Sequence, residues 1–457
     1  MKLRTRMYLR KRLNEVKHTT LNPNGPGVVR IHLVPPKAGK EDAPAVVIIN
    51  GRDLLPIKPS WSLLLAEFIT QINYYAGKSL SEDDLRTIRD NTFVQVTKVF
   101  RKVDRDLLRD DLKSLMDTLC KIAYGEEVDE DIPYMSIGEY ASYMSAPHRI
   151  DLMISSMTKS GKWHCNQRCV NCYAAGQTEA EVNELSTEEW KKIIDKCRAA
   201  YIPQITFTGG EPTMRNDLVE LIDYSQWFVT RLNTNGILLS KELCKQLYEA
   251  SLDSVQITLY SSDEAEHEAL TGSCGTFKHT VQGIKNAIEA GLNVSINTPL
   301  CKGNSDYVKT LKFLHSLGVT YVSCSGIIFT GNARSKTAKE KQLTEDELFK
   351  ILKEATAYCW QNDMEIAFTS PGQVSEEKLE QLDLSLPTCG ACLSNMAIAP
   401  NGNVVPCQSW LNGNSVLGNM LSDPWKRIWN SPKALSIREF SARMEHTCPL
   451  KTVKEDK

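Results

Sequence analysis

The chain has 457 residues, enough for two or three domains, because single hydrophobic cores stop growing near about 250–300 residues. Lys and Arg number 54 against 56 for Asp and Glu, a formal net charge of −2 that removes any global pull toward nucleic acid or an anionic membrane. The longest apolar runs, Ala45 to Ile49 and Leu63 to Ala66, fall far short of the roughly 20 residues of a membrane helix, and the basic N-terminus (Lys2, Arg4, Arg6, Arg10) is followed by no apolar signal core. The expected compartment is the cytoplasm, with neither membrane nor nucleic acid as partner. There, 14 cysteines read as metal ligands or buried thiols, not as a disulfide framework.

In chain order, residues 1 to 145 open with two β-rich runs, Val28 to Val34 and Ala45 to Ile49, separated by the loop Pro35 to Lys40. A helical pattern begins at Pro59-Ser60, with Ser60 as the expected cap, and continues through Trp61, Leu63, Leu64, Leu65 and Phe68. Amphipathic stretches run to about Tyr124, and an acidic linker, Glu126 to Asp131, closes a small α+β unit.

Residues 148 to 345 alternate strands with helices. The expected strands are Ile150 to Met157, Gln204 to Thr208, Phe228 to Leu232, Val255 to Tyr260, Asn293 to Asn297 and Tyr321 to Ile328. Helical patterns lie between them at Thr187 to Ala200, Lys241 to Ala250, Phe277 to Ala290 and Ser305 to Leu317, with Gly291 and Gly318 as C-terminal stops. Six β/α repeats predict an α/β fold, a partial (β/α)6 barrel whose functional groups gather at the C-terminal ends of the strands. Residues 346 to 457 begin with a helix, Glu345 to Gln361, and a strand, Met364 to Thr369. A cysteine-bearing segment and a final helical stretch from Pro424 to Ser441 follow.

After the first expected strand the sequence reads Trp163-His164-Cys165-Asn166-Gln167-Arg168-Cys169-Val170-Asn171-Cys172-Tyr173. The spacing CxxxCxxC places three thiolates in one loop, enough for three corners of a [4Fe–4S] cube and leaving one iron open to a chelating substrate. Zinc is the alternative, with His164 completing a four-ligand set. This loop resembles the signature of the radical S-adenosylmethionine superfamily, with one departure: many members carry an aromatic residue where this chain has Asn171.

The resemblance implies further roles. Thr208-Gly209-Gly210-Glu211-Pro212, after the second strand, resembles the segment that holds the methionine amino group, with Glu211 as the carboxylate partner of an ammonium. Taken alone, it is a plain strand-to-helix turn. Thr258, in Val255 to Ser261, resembles a hydroxyl presented toward the ribose, and Asn233 after strand three and Asn297 at the end of strand five are placed to face the barrel mouth. Each of these three has the alternative reading of a strand-end cap. The implied cofactors are S-adenosylmethionine and the [4Fe–4S] cluster, reduced by an external carrier of flavodoxin or ferredoxin type.

A second cysteine set reads Cys389-Gly390-Ala391-Cys392 and then Cys407, with Asn401-Gly402 between them as a two-residue hairpin turn. With Gly418-Asn419 and Trp425 to Pro432 it resembles the auxiliary-cluster extension called SPASM, or its shorter Twitch form. That implies a second [4Fe–4S] cluster on Cys389, Cys392, Cys407 and Cys448, against a zinc alternative. The remaining cysteines, such as Cys197 and Cys301, read as buried thiols. The segment Leu259 to Phe277 resembles maturases of ribosomally made peptides, which implies a peptide substrate with a leader held by a winged-helix domain in residues 1 to 145. The alternatives are a small-molecule enzyme of the molybdopterin or haem pathway and a non-catalytic iron–sulfur or zinc module. No catalytic residue beyond these ligands can be nominated from the sequence.

Overall fold

The structure, a computed structural model, describes residues 9, 11–21, 29–35, 44–50, 53–76, 78–124, 126, 128, 139, 141, 144–444 and 446–451. The Pro35 to Lys40 loop beyond residue 35, and most of the acidic linker, lie outside the described residues. The chain divides into two compact units, Met1–Ala146 and Pro147–Lys457.

In the first unit, β1 (Lys17–Leu21), β2 (Val29–Val34), β3 (Ala45–Ile49) and β4 (Asp53–Ile57) form an antiparallel meander in that order. Sequence patterning finds the two central strands, whose residues are almost all buried, and misses the two edges. β1 (KHTTL) is mostly polar and β4 (DLLPI) contains Pro56, a residue tolerated on an edge where no ladder N–H is required. Helices Pro59–Asn73, Glu82–Val99 and Arg105–Tyr124 follow. The first starts at Lys58 with Pro59 as its first residue, so Ser60 is inside the helix and not the cap; its neighbour Ser62 bonds back to the Pro59 carbonyl. The third buries Leu108, Leu112, Leu115, Leu119 and Ile122, one stripe at helical spacing.

The second unit is built on one mostly parallel sheet. β5 (Arg149–Ser155) leads into a two-stranded hairpin, β6 (Thr158–Lys159) and β7 (Lys162–Trp163). The parallel strands continue with β8 (Gln204–Gly209), β9 (Val229–Thr234), β10 (Ser254–Thr258), β11 (Asn293–Pro299), β12 (Tyr321–Ser325) and β13 (Glu365–Phe368). Helices Thr187–Ala199, Leu218–Tyr224, Lys241–Glu249, Thr276–Glu289, Tyr307–Ser316 and Glu345–Gln361 lie between strands of this series. The expected α/β fold is present, extended at both ends. The strand expected in the third region, β13, pairs with β12 as a seventh parallel strand. At the other edge β14 (Asn395–Ile398) pairs parallel with β5, and β15 (Asn403–Val405) and β16 (Gly418–Asn419) continue the sheet antiparallel. The cysteine-rich segment is therefore attached through backbone hydrogen bonds to the strand that carries the first cysteine loop. Among the described residues no helix is long and apolar enough to cross a membrane.

Candidate functional site

β5 ends at Ser155, and the β6–β7 hairpin turns on Ser160 and Gly161, both at positive φ (53° and 74°), the geometry that matches the twist of the flanking strands. The cysteine loop follows at once. His164 N donates to Met157 O (2.7 Å), Arg168 N to Thr271 O (3.0 Å), Val170 N to Leu270 O (2.9 Å) and Asn332 N to Cys172 O (2.9 Å), so the loop is clamped by the segments after β10 and β12. Gly272 and Gly331 permit this clamp. Both hold positive φ, and a Cβ would collide with the Arg168 carbonyl at Gly272 and with the Cys172 and Tyr173 carbonyls at Gly331.

Cys165, Cys169 and Cys172 are half-buried on this loop. Burial first, then the charge of Glu211 beside it, pushes the Cys165 thiol up to about 12. Cys169 is raised by burial and then by its neighbours Cys172 and Cys165, so the three sulfurs lie within one another's electrostatic reach. Asn166 Nδ2 and Gln167 Nε2 in the same loop are buried without a hydrogen-bond partner, polar capacity left for a ligand. Among the described residues no three His, Cys, Asp or Glu side chains form a set for a single metal ion. A cube makes a different demand, one thiolate on each of three irons.

The turn after β8 faces this loop. Gly209 (φ 139°) and Gly210 are required by the neighbouring strand as well as by any ligand, since a Cβ on either would strike the backbone of Ser155 or Ser156. Glu211 is 1% exposed. Its Oε1 accepts from Thr213 N (3.0 Å), Thr213 Oγ1 and Thr234 Oγ1 (2.6 Å), and its Oε2 from Asn235 N (2.9 Å). Burial raises its pKa while these bonds pull the other way. Asn235 Nδ2 then donates to Asn166 Oδ1 (2.6 Å), tying Glu211's support to the cysteine loop. Thr234 and Asn235 are site residues that sequence reading missed; their only signal was a position beside Asn233.

Thr208 is buried in β8. Thr258 is the last residue of β10 and sits opposite Asn297 of β11. Asn233 lies within β9 rather than after it. Asn297 lies within β11, which runs on to Pro299, and its Oδ1 accepts from Ser323 Oγ (3.1 Å).

The second cysteine set comes together on the far side of β5. Ala399, the residue after β14, donates to Asn403 O (2.8 Å), and Gly402 N donates to Ala399 O (2.9 Å). The connection is thus a three-residue loop with Gly402 left-handed (φ 86°), not the expected two-residue turn. It still returns the chain: Cys392 N donates to Pro406 O (3.3 Å), next to Cys407. The charge of Cys389 acts on both Cys392 and Cys407, and that of Cys448 acts on Cys407. Cys392 is held at φ 54° while Arg438 Nε donates to its carbonyl (2.8 Å), and the Arg438 guanidinium stacks 3.4 Å above the Trp429 ring. Asp151 of β5 and Tyr173 bridge the two groups. The Asp151 charge reaches both Tyr173 and Cys407, and Tyr173 Oη donates to Gln408 Oε1 (3.4 Å).

A β/α sheet with a three-cysteine loop after its first strand, and four further cysteines on and beyond an extension of the same sheet, fits the class of iron–sulfur proteins with two cluster sites. Residues 164–314 match the Radical SAM superfamily and residues 389–450 match SPASM, an iron–sulfur cluster-binding domain. The chain carries a radical SAM domain followed by a C-terminal SPASM domain. The first domain implies a [4Fe–4S] cluster and S-adenosylmethionine, and the second implies auxiliary iron–sulfur clusters.

Among curated relatives, an Fe-coproporphyrin III synthase of Methanosarcina barkeri is 33% identical over 40% of this chain and 46% of its own length. An AdoMet-dependent heme synthase of Oleidesulfovibrio alaskensis is 30% identical over 47% of this chain and 57% of its own. The chain thus spans about half the length of the curated relatives it matches. The solved structure of Streptococcus suis SuiB bound to precursor peptide SuiA is similar over 91% of this chain and 94% of that one, with a TM-score of 0.59 at 15% identity.

Proposed function

We propose that the chain modifies a ribosomally made precursor peptide by radical chemistry, forming a crosslink, a thioether or an epimer. The observation that carries this reading is the likeness to SuiB, which extends through 91% of the chain, well beyond the two matched domains. In the proposed division, residues 1–145 hold the leader of the peptide, residues 148–345 carry the radical site, and residues 346–457 carry one auxiliary cluster. The meander supports leader binding because β1 and β4 are its two edges, and an extended peptide adds to a sheet through main-chain hydrogen bonds.

In this reading Cys165, Cys169 and Cys172 hold the first [4Fe–4S] cluster, and Cys389, Cys392, Cys407 and Cys448 the second. When bound, the reduced cluster and S-adenosylmethionine supply a 5′-deoxyadenosyl radical that takes hydrogen from the substrate. Glu211 receives the methionine ammonium. Its Oε1 is filled by three donors, whereas Oε2 accepts one and keeps a lone pair free. Thr208, Gly209 and Gly210 set the backbone against the ligand, and Thr258, Asn233 and Asn297 line its other side. Asp151 and Tyr173, between the two cysteine groups, border the space in which substrate sits.

A second reading, a tetrapyrrole or other small-molecule substrate, is favoured by the 33% and 30% identities to the coproporphyrin and heme synthases. Titration of a candidate leader peptide against the whole protein, followed by mass analysis of the core peptide after reaction, separates the two. Release of 5′-deoxyadenosine with no mass change in any leader-bearing peptide, together with turnover of a porphyrin, overturns the peptide reading.

A further inference from the structure

We propose that the Gln167 side-chain amide donates a hydrogen bond to the Cys169 sulfur when that sulfur is on iron, and that this bond raises the reduction potential of the first cluster. This inference rests on the reading that Cys165, Cys169 and Cys172 hold that cluster. Gln167 is a positioning residue in it, acting through Cys169 and touching no iron.

Gln167 lies between the first two cysteines of the loop and is 4% exposed. Its Oε1 accepts from the Cys169 thiol at 3.4 Å, while its Nε2 is buried with no hydrogen-bond partner. A thiol donates, but a thiolate on iron only accepts, so the amide oxygen would then face a second acceptor. The carboxamide has nearly the same shape either way round. Half a turn about its terminal bond replaces Oε1 by Nε2 and converts an opposed pair of acceptors into an N–H to sulfur bond. The turn gives the unpartnered donor an acceptor in a site so buried that water does not compete for it.

The surroundings hold both partners in place. The Gln167 carbonyl accepts from Trp163 Nε1 (2.8 Å), and the next residue is tied down by the bond from Arg168 N to Thr271 O (3.0 Å). Cys169 packs against the apolar group of Tyr260, Leu270, Cys301, Ile327 and Ala333, which keeps its sulfur from turning out to solvent. Asn166 and Asn171 in the same loop also carry buried amide nitrogens without a partner, but of the three amides it is Gln167 that makes a hydrogen bond to one of the loop's sulfurs.

The sign of the effect follows from charge. Reduction adds one electron, with no covalent bond made or broken, and places more negative charge on the sulfurs. A donor aimed at a sulfur therefore stabilises the reduced state more than the oxidised one and raises the potential. Glu211 works the other way: its charge acts on Cys165, and a buried carboxylate disfavours further negative charge beside it. The Gln167 amide offsets part of that opposition from the Cys169 corner.

The test is a potentiometric titration with dithionite, followed by EPR, of the full chain reconstituted with iron and sulfide in a Cys407→Ala background that leaves the first three cysteines intact. Gln167→Met keeps the side-chain length and removes the N–H donors. At the parent's midpoint its ratio of reduced to oxidised cluster should fall about tenfold, a shift of about 59 mV to lower potential for a one-electron couple. Pulsed EPR of the parent, with its glutamine amides labelled with the heavy nitrogen isotope, should show a coupling between that nitrogen and the reduced cluster, and it decides alone if Gln167→Met fails to hold iron. An unchanged midpoint at full iron content, or no nitrogen coupling in the labelled parent, overturns the hydrogen bond. Absence of any cluster absorbance in the unsubstituted chain would instead overturn the cluster reading on which it rests.

Discussion

Protonation of His267 should make this fold acid-sensitive in a way one substitution removes. His267 is fully buried in helix Glu264–Thr271; Tyr260 N donates to its Nδ1 (3.3 Å), and its ring meets those of Tyr260 and Phe277 edge-on. Burial pushes its pKa down from 6.5 to about 4. The unfolded chain titrates near 6.5, so the stability from keeping this ring neutral is fully present above that pH. It is lost as pH falls, because only the unfolded state takes up the proton. At about 1.4 kcal/mol per pKa unit the loss is about 1 kcal/mol at pH 5.5 and approaches 3 kcal/mol near pH 4. Urea unfolding of the holoprotein between pH 7.5 and 5.5 measures it. His267→Phe removes the acceptor for Tyr260 N and should cost about 1–2 kcal/mol at pH 7.5, but the gap to wild type should narrow by about 1 kcal/mol at pH 5.5. Parallel stability curves for the two proteins over that range would refute the argument.

Three further outcomes test the cluster sites. Glu211→Gln removes the charge while keeping the volume and should weaken S-adenosylmethionine binding by at least about tenfold, measured by equilibrium dialysis at unchanged iron content. Gly331→Ala places a methyl group against the carbonyls of Cys172 and Tyr173 and should lower the iron held at the first site, whereas Gly275→Ala, with the same left-handed backbone strain (φ 74°) but no neighbour to strike, should leave iron content intact. Cys407→Ala should lower iron by about four per chain while 5′-deoxyadenosine release persists, since the first three cysteines are untouched; loss of both would contradict separate sites.

Much of the candidate site was legible because its proposed ligands are close in sequence. A CxxxCxxC loop brings its sulfurs together whatever the rest of the chain does, and a Gly-Gly-Glu-Pro turn announces a strand end. What supports the loop was not legible. Gly272, Gly331 and Asn332 come from segments 100 or more residues downstream of the loop, and their role appears only when the segments after β10 and β12 reach the loop after β5. The glycines of the Gly209-Gly210 pair were read as room for a ligand, and part of their reason is the backbone of Ser155 and Ser156.

By itself the sequence determined the alternation of strand and helix and the parallel sheet that follows from it, because periodicity is a local property. It did not determine the edge strands, β1 because it is mostly polar and β4 because Pro56 interrupts it. Only the tertiary structure decided that β14 pairs with β5, bringing the segment that follows Cys389 and Cys392 onto the strand that precedes the first three cysteines. Strand partners are chosen by hydrogen bonds between residues more than two hundred positions apart, and no local pattern in either strand names the other.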